Sequence, residues 1–190
     1  MYKTQPSQKN GYECLIKGGM DMIVLIGGAT HTGKTRLAQQ ILEQQGLSYL
    51  SIDHLKMGLI RAGHTKLTPV DDAELTGYLW PIVVEMIKTA IENEQHLTVE
   101  GIYIPCDWKK DFPPAYAKSI RAFFLVMSET YIRTHFDTIR IHADAMEKRK
   151  FPQDLTMEKL MDDNLAIKKA CDQADQDIVW IDEEYPEITL

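Results

Sequence analysis

The chain is poor in cysteine, in net positive charge and in long apolar runs. Its 190 residues hold three cysteines, Cys14, Cys106 and Cys171, far apart and without a CxxC pair. So sparse and odd a set supplies neither a disulfide framework nor a zinc site, and reduced thiols in a cytoplasmic setting are the simplest reading. No apolar run approaches the roughly 20 residues that a membrane span needs. Cys14-Leu15-Ile16 is too short for the apolar part of a secretion signal, although Lys3 and Lys9 precede it. Against 28 acidic residues stand 21 basic ones, a net charge of −7. That balance speaks against a nucleic-acid coat and against an anionic-membrane binder, because both need positive surface. It leaves room for a local basic pocket that takes a phosphorylated ligand. There is no internal repeat and no low-complexity tract.

What is present suits one soluble domain. The apolar share is 44% and the charged share 26%, ordinary values for a globular chain. A chain of this length is expected to bury about 70% of its unfolded surface. Residues 1–21 read as an N-terminal extension, punctuated by Pro6, Asn10, Gly11, Gly18 and Gly19. Residues 22–190 then alternate short apolar runs with helical stretches. Strands are expected at 22–26, 48–52, 97–99, 123–127 and 178–181. Helical spacing covers Leu37, Ile41 and Leu42, with Gly46 as the stop, and then about 71–94, 129–148 and 156–175. Leu79, Val83, Met86, Ile87, Ala90 and Ile91 form the expected buried face of the 71–94 helix. Pro81 should kink that helix or open its second half. Strands separated by helices imply an α/β fold with a parallel sheet, whose ligands bind at the carboxyl ends of the strands.

The first such end carries Gly28-Ala29-Thr30-His31-Thr32-Gly33-Lys34-Thr35, the pattern GxxxxGK[ST] between a strand and a helix. Glycines let backbone N–H groups curl around phosphate oxygens, and the helix N-terminus adds partial positive charge. Lys34 is placed to reach the β- and γ-phosphates, and the Thr35 hydroxyl to ligate magnesium. The expected nucleotide contacts are Gly28 through Thr35 together with Arg36. His31 reads as a variable loop position rather than a catalytic one.

The second strand runs into Asp53-His54-Leu55-Lys56-Met57-Gly58-Leu59, and the third ends in Glu100-Gly101. Asp53 can take a proton from a hydroxyl that attacks the γ-phosphate, orient that hydroxyl, or simply cap the next helix. Glu100 can hold the metal or serve as the base itself. Gly101 allows substrate or backbone to approach closely. Between the fourth and fifth strands lie Arg133, Arg140, Lys148, Arg149 and Lys150. They read either as a lid over the phosphates, at about 133–155, or as an exposed helix with Arg133–Asp137 and Arg140–Asp144 pairs. Asn164, on an otherwise apolar helix face, is expected either near the site or on a local backbone group.

Together, Gly28–Thr35, Asp53–Leu59 and Glu100-Gly101 resemble the P-loop small-molecule kinases related to nucleotide kinases. The Asp53 segment is similar to the D-x-V-R-x-G-L stretch of adenylylsulfate kinases, with Lys56 where they have arginine. Val99-Glu100-Gly101-Ile102-Tyr103-Ile104-Pro105 resembles 2-phosphoglycerate kinases, as do Asn164 and Ile167 leading to the last strand. Zeta-toxin and chloramphenicol phosphotransferase families also place an aspartate base after the second strand, matching Asp53. The resemblance spans about residues 22–185. The D-G-[FY]-P-R pattern of adenylate kinases is missing, since Cys106 follows Pro105, so AMP is not the implied acceptor.

This resemblance implies a three-layer P-loop sandwich with a five-stranded parallel sheet of order 2-3-1-4-5 and a small helical lid. It implies transfer of the ATP γ-phosphoryl group, with Mg2+, to a small anionic or hydroxylated acceptor. Lys34, Asp53, Glu100 and the lid residue Arg140 are the expected catalytic groups. Thr35 and Glu100 are the expected metal ligands, and Asp53, Lys56, Arg61, Gly101 and Tyr103 the expected acceptor contacts. Partners are a small molecule rather than nucleic acid or membrane, in a monomer or homodimer. The alternative is a nucleotide-dependent switch or hydrolase acting on a partner.

Overall fold

The two longest apolar strand runs, at 22–26 and 123–127, fall in neighbouring inner strands. In a computed structural model, which describes residues 23–146, 155–183 and 185, and of 142–146 only the backbone, β1 (Ile23–Gly28) is buried along its whole length. It pairs in parallel with β3 (Leu97–Glu100) on one side and β4 (Ile120–Met127) on the other. β2 (Tyr49–Ser51) lies outside β3, and β5 (Ile178–Ile181) outside β4. The order is therefore β2-β3-β1-β4-β5, as the resemblance implied. The two edge strands are the less fully buried ones, because only inner strands are covered on both faces along their length.

Alternation along β1 divides the core in two. Ile23 and Leu25 pack with α3 (Asp72–Glu92), Ile52, Tyr103, Trp108 and Cys171. Val24 and Ile26 pack on the opposite face with Leu37, Ala38 and Ile41 of α1 (Lys34–Gln45). Ile132 of α5 (Glu129–Met146) and Leu160 of α6 (Met157–Ala174) join that second layer. The result is the expected sandwich of helices on both faces of the sheet. Two shorter helices, α2 (Ile52–Arg61) and α4 (Pro114–Ala117), and a 3-10 turn at Trp108–Asp111 complete the described elements.

Several boundaries differ from the sequence reading. β4 starts at Ile120, three residues early, and β2 stops at Ser51, so that Ile52 already belongs to α2. Pro81 does not open α3, which is helical for 21 residues. The ring and Gly77, four residues before it, both face solvent, while Leu79, Trp80, Val83 and Ile87 anchor the helix on each side of the proline. Water can therefore take the carbonyl that proline leaves without a partner. Met86 is 38% exposed rather than part of the buried face. Gly46 does end α1, in the left-handed conformation at φ 71°, with its N–H on the Leu42 carbonyl.

Asn164 resolves to the backbone role. Its Oδ1 accepts from the Met127 N–H at 2.8 Å and its Nδ2 donates to the Leu160 carbonyl at 2.8 Å, fastening α6 to the carboxyl end of β4. The extension at 1–21 and the 147–154 part of the expected lid, with Lys148, Arg149 and Lys150, lie outside the described residues. Residues 133–146 of that stretch belong to α5. Among the described residues no helix is long and apolar enough to cross a membrane.

Candidate active site

Sheet register assembles the site. Glu100 is level with Ile26 of β1 and with Ser51 of β2. The next residues of β1 are Gly27 and Gly28, which open the phosphate loop. Gly28 has φ 129°, and a Cβ there would stand 2.3 Å from the Leu125 carbonyl oxygen, so β4 itself requires glycine. His31 and Gly33 also take positive φ, 60° and 83°. The loop is closed by Thr32 Oγ1 and Lys34 Nζ, which both donate to the Ala29 carbonyl, at 2.9 and 2.6 Å. The buried Lys34 side chain thus folds back across the loop. Gly33, at the N-cap of α1, brings no side-chain hydrogen bond, so the first N–H groups of the helix keep donor capacity for an anion.

Glu100 is 1% exposed. Its Oε1 accepts from the Thr35 hydroxyl at 3.2 Å, and the Ser51 hydroxyl also donates to it. Burial pushes its carboxyl above the usual range, against the Ser51 hydrogen bond and the nearby Lys34 charge, which pull it down. Thr35, Glu100 and Ser51 offer oxygen donors only, the set that a hard divalent cation such as magnesium prefers. A buried carboxylate with partial charge compensation is also one that a cation would stabilise. These residues fit a magnesium ion.

A second polar chain lies beyond β2. Asp53, in the first turn of α2 rather than at its N-cap, is ion-paired through Oδ1 to Lys56 Nζ at 2.6 Å. Lys56 Nζ donates to the Tyr103 hydroxyl at 2.9 Å, and that hydroxyl donates to Asp72 Oδ1 at 2.8 Å. Lys56 and Tyr103 are buried. The four residues come from α2, the loop after β3 and the start of α3, and they form a continuous line whose Asp53 end is close enough to Glu100 for its charge to act there.

Other expected residues sit differently. Gly101 is buried, and the group that approaches it is the Ile52 side chain, 3.0 Å from where a Cβ would be. Arg61 is exposed at the end of α2, about 12 Å along the axis from Asp53 at 1.5 Å per residue. Arg133 and Arg140 are exposed on α5 and ion-paired to Glu129 at 2.6 Å and Asp137 at 3.5 Å. Asp137 therefore serves Arg140, not Arg133.

Three contributors were not read from the sequence. Ser51 was hidden as the last residue of β2, and Asp72 enters only through its contact with Tyr103. Tyr185 follows β5, and the rule that ligands gather at the carboxyl ends of strands is the signal that points to such a residue. Its hydroxyl donates to the Thr32 and Gly33 carbonyls, each at 3.2 Å, and the Arg36 guanidinium lies 5.1 Å from its ring centre. Burial pushes the phenol up to about 12.

No protein-family model and no curated protein sequence matches the chain. Solved structures do match. A shikimate kinase from Bacteroides thetaiotaomicron is 16% identical with a TM-score of 0.52, over 87% of this chain and 89% of its own. A protein from Chloroflexus aurantiacus j-10-fl, provisionally described as a kinase, is 14% identical with a TM-score of 0.56, over 90% of this chain and 93% of its own. At such identities the likeness is one of fold, and it agrees with the sheet order and with the phosphate loop after β1. The chain has the fold of the P-loop small-molecule kinases.

Proposed function

We propose that the protein transfers the γ-phosphoryl group of ATP to a hydroxyl of a small-molecule acceptor. The observation that carries this reading is the meeting of two polar systems on one sheet edge. One is the phosphate loop with Glu100 on Thr35, and the other is the Asp53–Lys56–Tyr103–Asp72 chain. A nucleotide switch needs only the first; the second supplies a place for an acceptor.

In this mechanism the backbone N–H groups from Gly28 to Thr35 hold the phosphates, and Lys34 turns from the Ala29 carbonyl onto the β- and γ-oxygens. Thr35 and Glu100 would hold a magnesium ion, which neutralises charge on those oxygens when bound. Arg36, with its guanidinium against Tyr185, flanks the nucleotide end of the loop. Asp53 orients the acceptor hydroxyl and takes its proton. Tyr103, bonded to Lys56 and Asp72, holds the Asp53–Lys56 pair in place. Lys56 already has its charge matched by Asp53, which favours a hydroxylated acceptor over a strongly anionic one. Arg140 and its neighbours would join only if residues 133–155 close over the nucleotide as a lid.

A phosphotransfer screen with labelled ATP tests the proposal. Polyols, sugars, nucleosides, amino-alcohols and hydroxy acids are offered in turn, with product separated from phosphate. The expected result is a labelled organic phosphate with at least one acceptor and little phosphate release without one. Steady ATP hydrolysis that no acceptor alters, and that a protein partner accelerates, would replace the kinase reading with a switch.

A further inference from the structure

The sheet face opposite α1 holds two sulfur atoms in direct contact. Cys106 lies in the loop after β3 and Cys171 in the last turns of α6, with their Sγ atoms 3.0 Å apart across 65 residues of sequence. Both are free and buried thiols. A buried thiol is ordinarily inert, but two features distinguish this pair. Cys106 lines a cavity of about 570 Å³, together with Ile104, Asp107, Ile167 and Ala170, which gives a small reagent a route to its sulfur. The contact is also asymmetric. The hydrogen bond between the two sulfurs holds the Cys106 thiol below its usual range, while the same bond and burial push Cys171 up. Cys106 is thus the more acidic of the two thiols, and it is the one that lines the cavity.

We propose that Cys106 and Cys171 form a reversible redox pair that closes an intramolecular disulfide when a small peroxide enters the cavity. The Cys106 thiolate attacks one peroxide oxygen. The S–O bond forms as the O–O bond breaks, sulfur is oxidised by two electrons, and the departing oxygen takes a proton to leave as water. Cys171 sulfur then attacks the sulfenic sulfur of Cys106. The S–S bond forms as the S–O bond breaks, and the hydroxide leaves as water with the Cys171 proton. Overall, two thiols and one hydrogen peroxide give a disulfide and two waters, and a thiol reductant reverses the change. The sulfurs already touch, so closure asks little of the backbone. It ties the loop that carries Tyr103 to α6.

The full chain is treated with stoichiometric hydrogen peroxide and analysed by intact mass and peptide mapping. The expected result is a loss of two hydrogens, with the Cys106 and Cys171 peptides joined, restored by dithiothreitol and retained in Cys14→Ser. Cys171→Ser should accumulate a sulfenic acid on Cys106 that dimedone traps. Oxidised wild-type protein should melt a few degrees higher than reduced protein, since the link closes a long loop. Cross-links through Cys14, over-oxidation of Cys106 to the sulfinic acid without a link, or a lower melting point after oxidation would each overturn the proposal. The wild-type map decides by itself if a serine variant fails to fold. None of these readouts depends on kinase activity.

Discussion

The Thr35 hydroxyl donates to Glu100 Oε1 at 3.2 Å, across 65 residues of sequence and between the first turn of α1 and the carboxyl end of β3. This contact joins the phosphate loop to the strand beside it, and it keeps a carboxylate where water does not reach. Its environment makes a prediction about pH. Burial raises the Glu100 carboxyl above its ordinary value of 4.5. The folded state therefore binds a proton there more readily than the unfolded state, and the stability this gives is full below pH 4.5. It is lost as pH rises through the raised value. Glu100→Gln removes the loss while keeping the shape. Without ligands, the variant should equal wild type in acid and exceed it near neutral pH, as read from urea midpoints across a pH series. With magnesium and nucleotide the order should reverse, and turnover should demand more magnesium.

Lys34→Ala tests the phosphate contact. The lysine now bonds the Ala29 carbonyl at 2.6 Å, a partner that it would exchange for phosphate oxygens. Loss of a charge-assisted bond is worth about 1.5–3 kcal/mol, so ATP affinity or turnover should fall roughly tenfold or more. Isothermal titration with ATP, beside a circular dichroism spectrum matching wild type, measures it.

Tyr185 and Gly33 should be energetically coupled. A Cβ on Gly33 would stand 2.2 Å from the Tyr185 hydroxyl oxygen, at φ 83°. Gly33→Ala therefore meets two penalties, a left-handed backbone worth about 1–2 kcal/mol and a clash. Tyr185→Phe alone gives up hydrogen bonds worth about 0.5–1.5 kcal/mol net. In the double variant the shortest contact is gone, while the ring carbon 2.8 Å from the Cβ position and the backbone penalty stay, so the summed loss should still be smaller than the two single losses added. A double-mutant cycle from denaturation midpoints reads this coupling, and strict additivity would mean that the tyrosine does not sit on the loop in solution.

The parts of this arrangement that were legible in the sequence are the ones set by local pattern. The apolar runs located the strands, and GxxxxGK[ST] after the first of them located the loop. Glu100 was visible because an acidic residue directly follows an apolar strand. Choices between equivalent neighbours were not legible. Arg133 has Glu129 four residues before it and Asp137 four after it, and spacing permits both. The structure selects Glu129, in keeping with the preference for the acid on the N-terminal side. Gly101 suggested a close approach but not that Ile52 makes it, since that depends on where α2 begins. The Asp72–Tyr103 bond spans 31 residues and has no local signature at all.

That bond bears on the assignment of the base. Asp53 reaches Asp72 through Lys56 and Tyr103, in contacts of 2.6, 2.9 and 2.8 Å. If Asp53 removes the acceptor proton, Asp53→Asn takes away the acceptor of that proton and keeps the side-chain shape. General-base assistance is typically worth about 10²–10⁴-fold, so kcat should fall within that range while ATP affinity barely changes. Tyr103→Phe acts differently. It removes the hydroxyl that joins Lys56 to Asp72 and leaves Asp53 and Lys56 paired. Its hydrogen bonds are to charged groups, so stability should fall by about 1.5–3 kcal/mol. The kinetic effect should fall mainly on the acceptor KM, because the pair loses its support but not its chemistry. Rapid-quench single turnovers for each variant, with denaturation midpoints alongside, separate the two. Equal losses of the chemical rate in Asp53→Asn and Tyr103→Phe would make Asp53 one link of a positioning chain. A large loss confined to Asp53→Asn would make it the base.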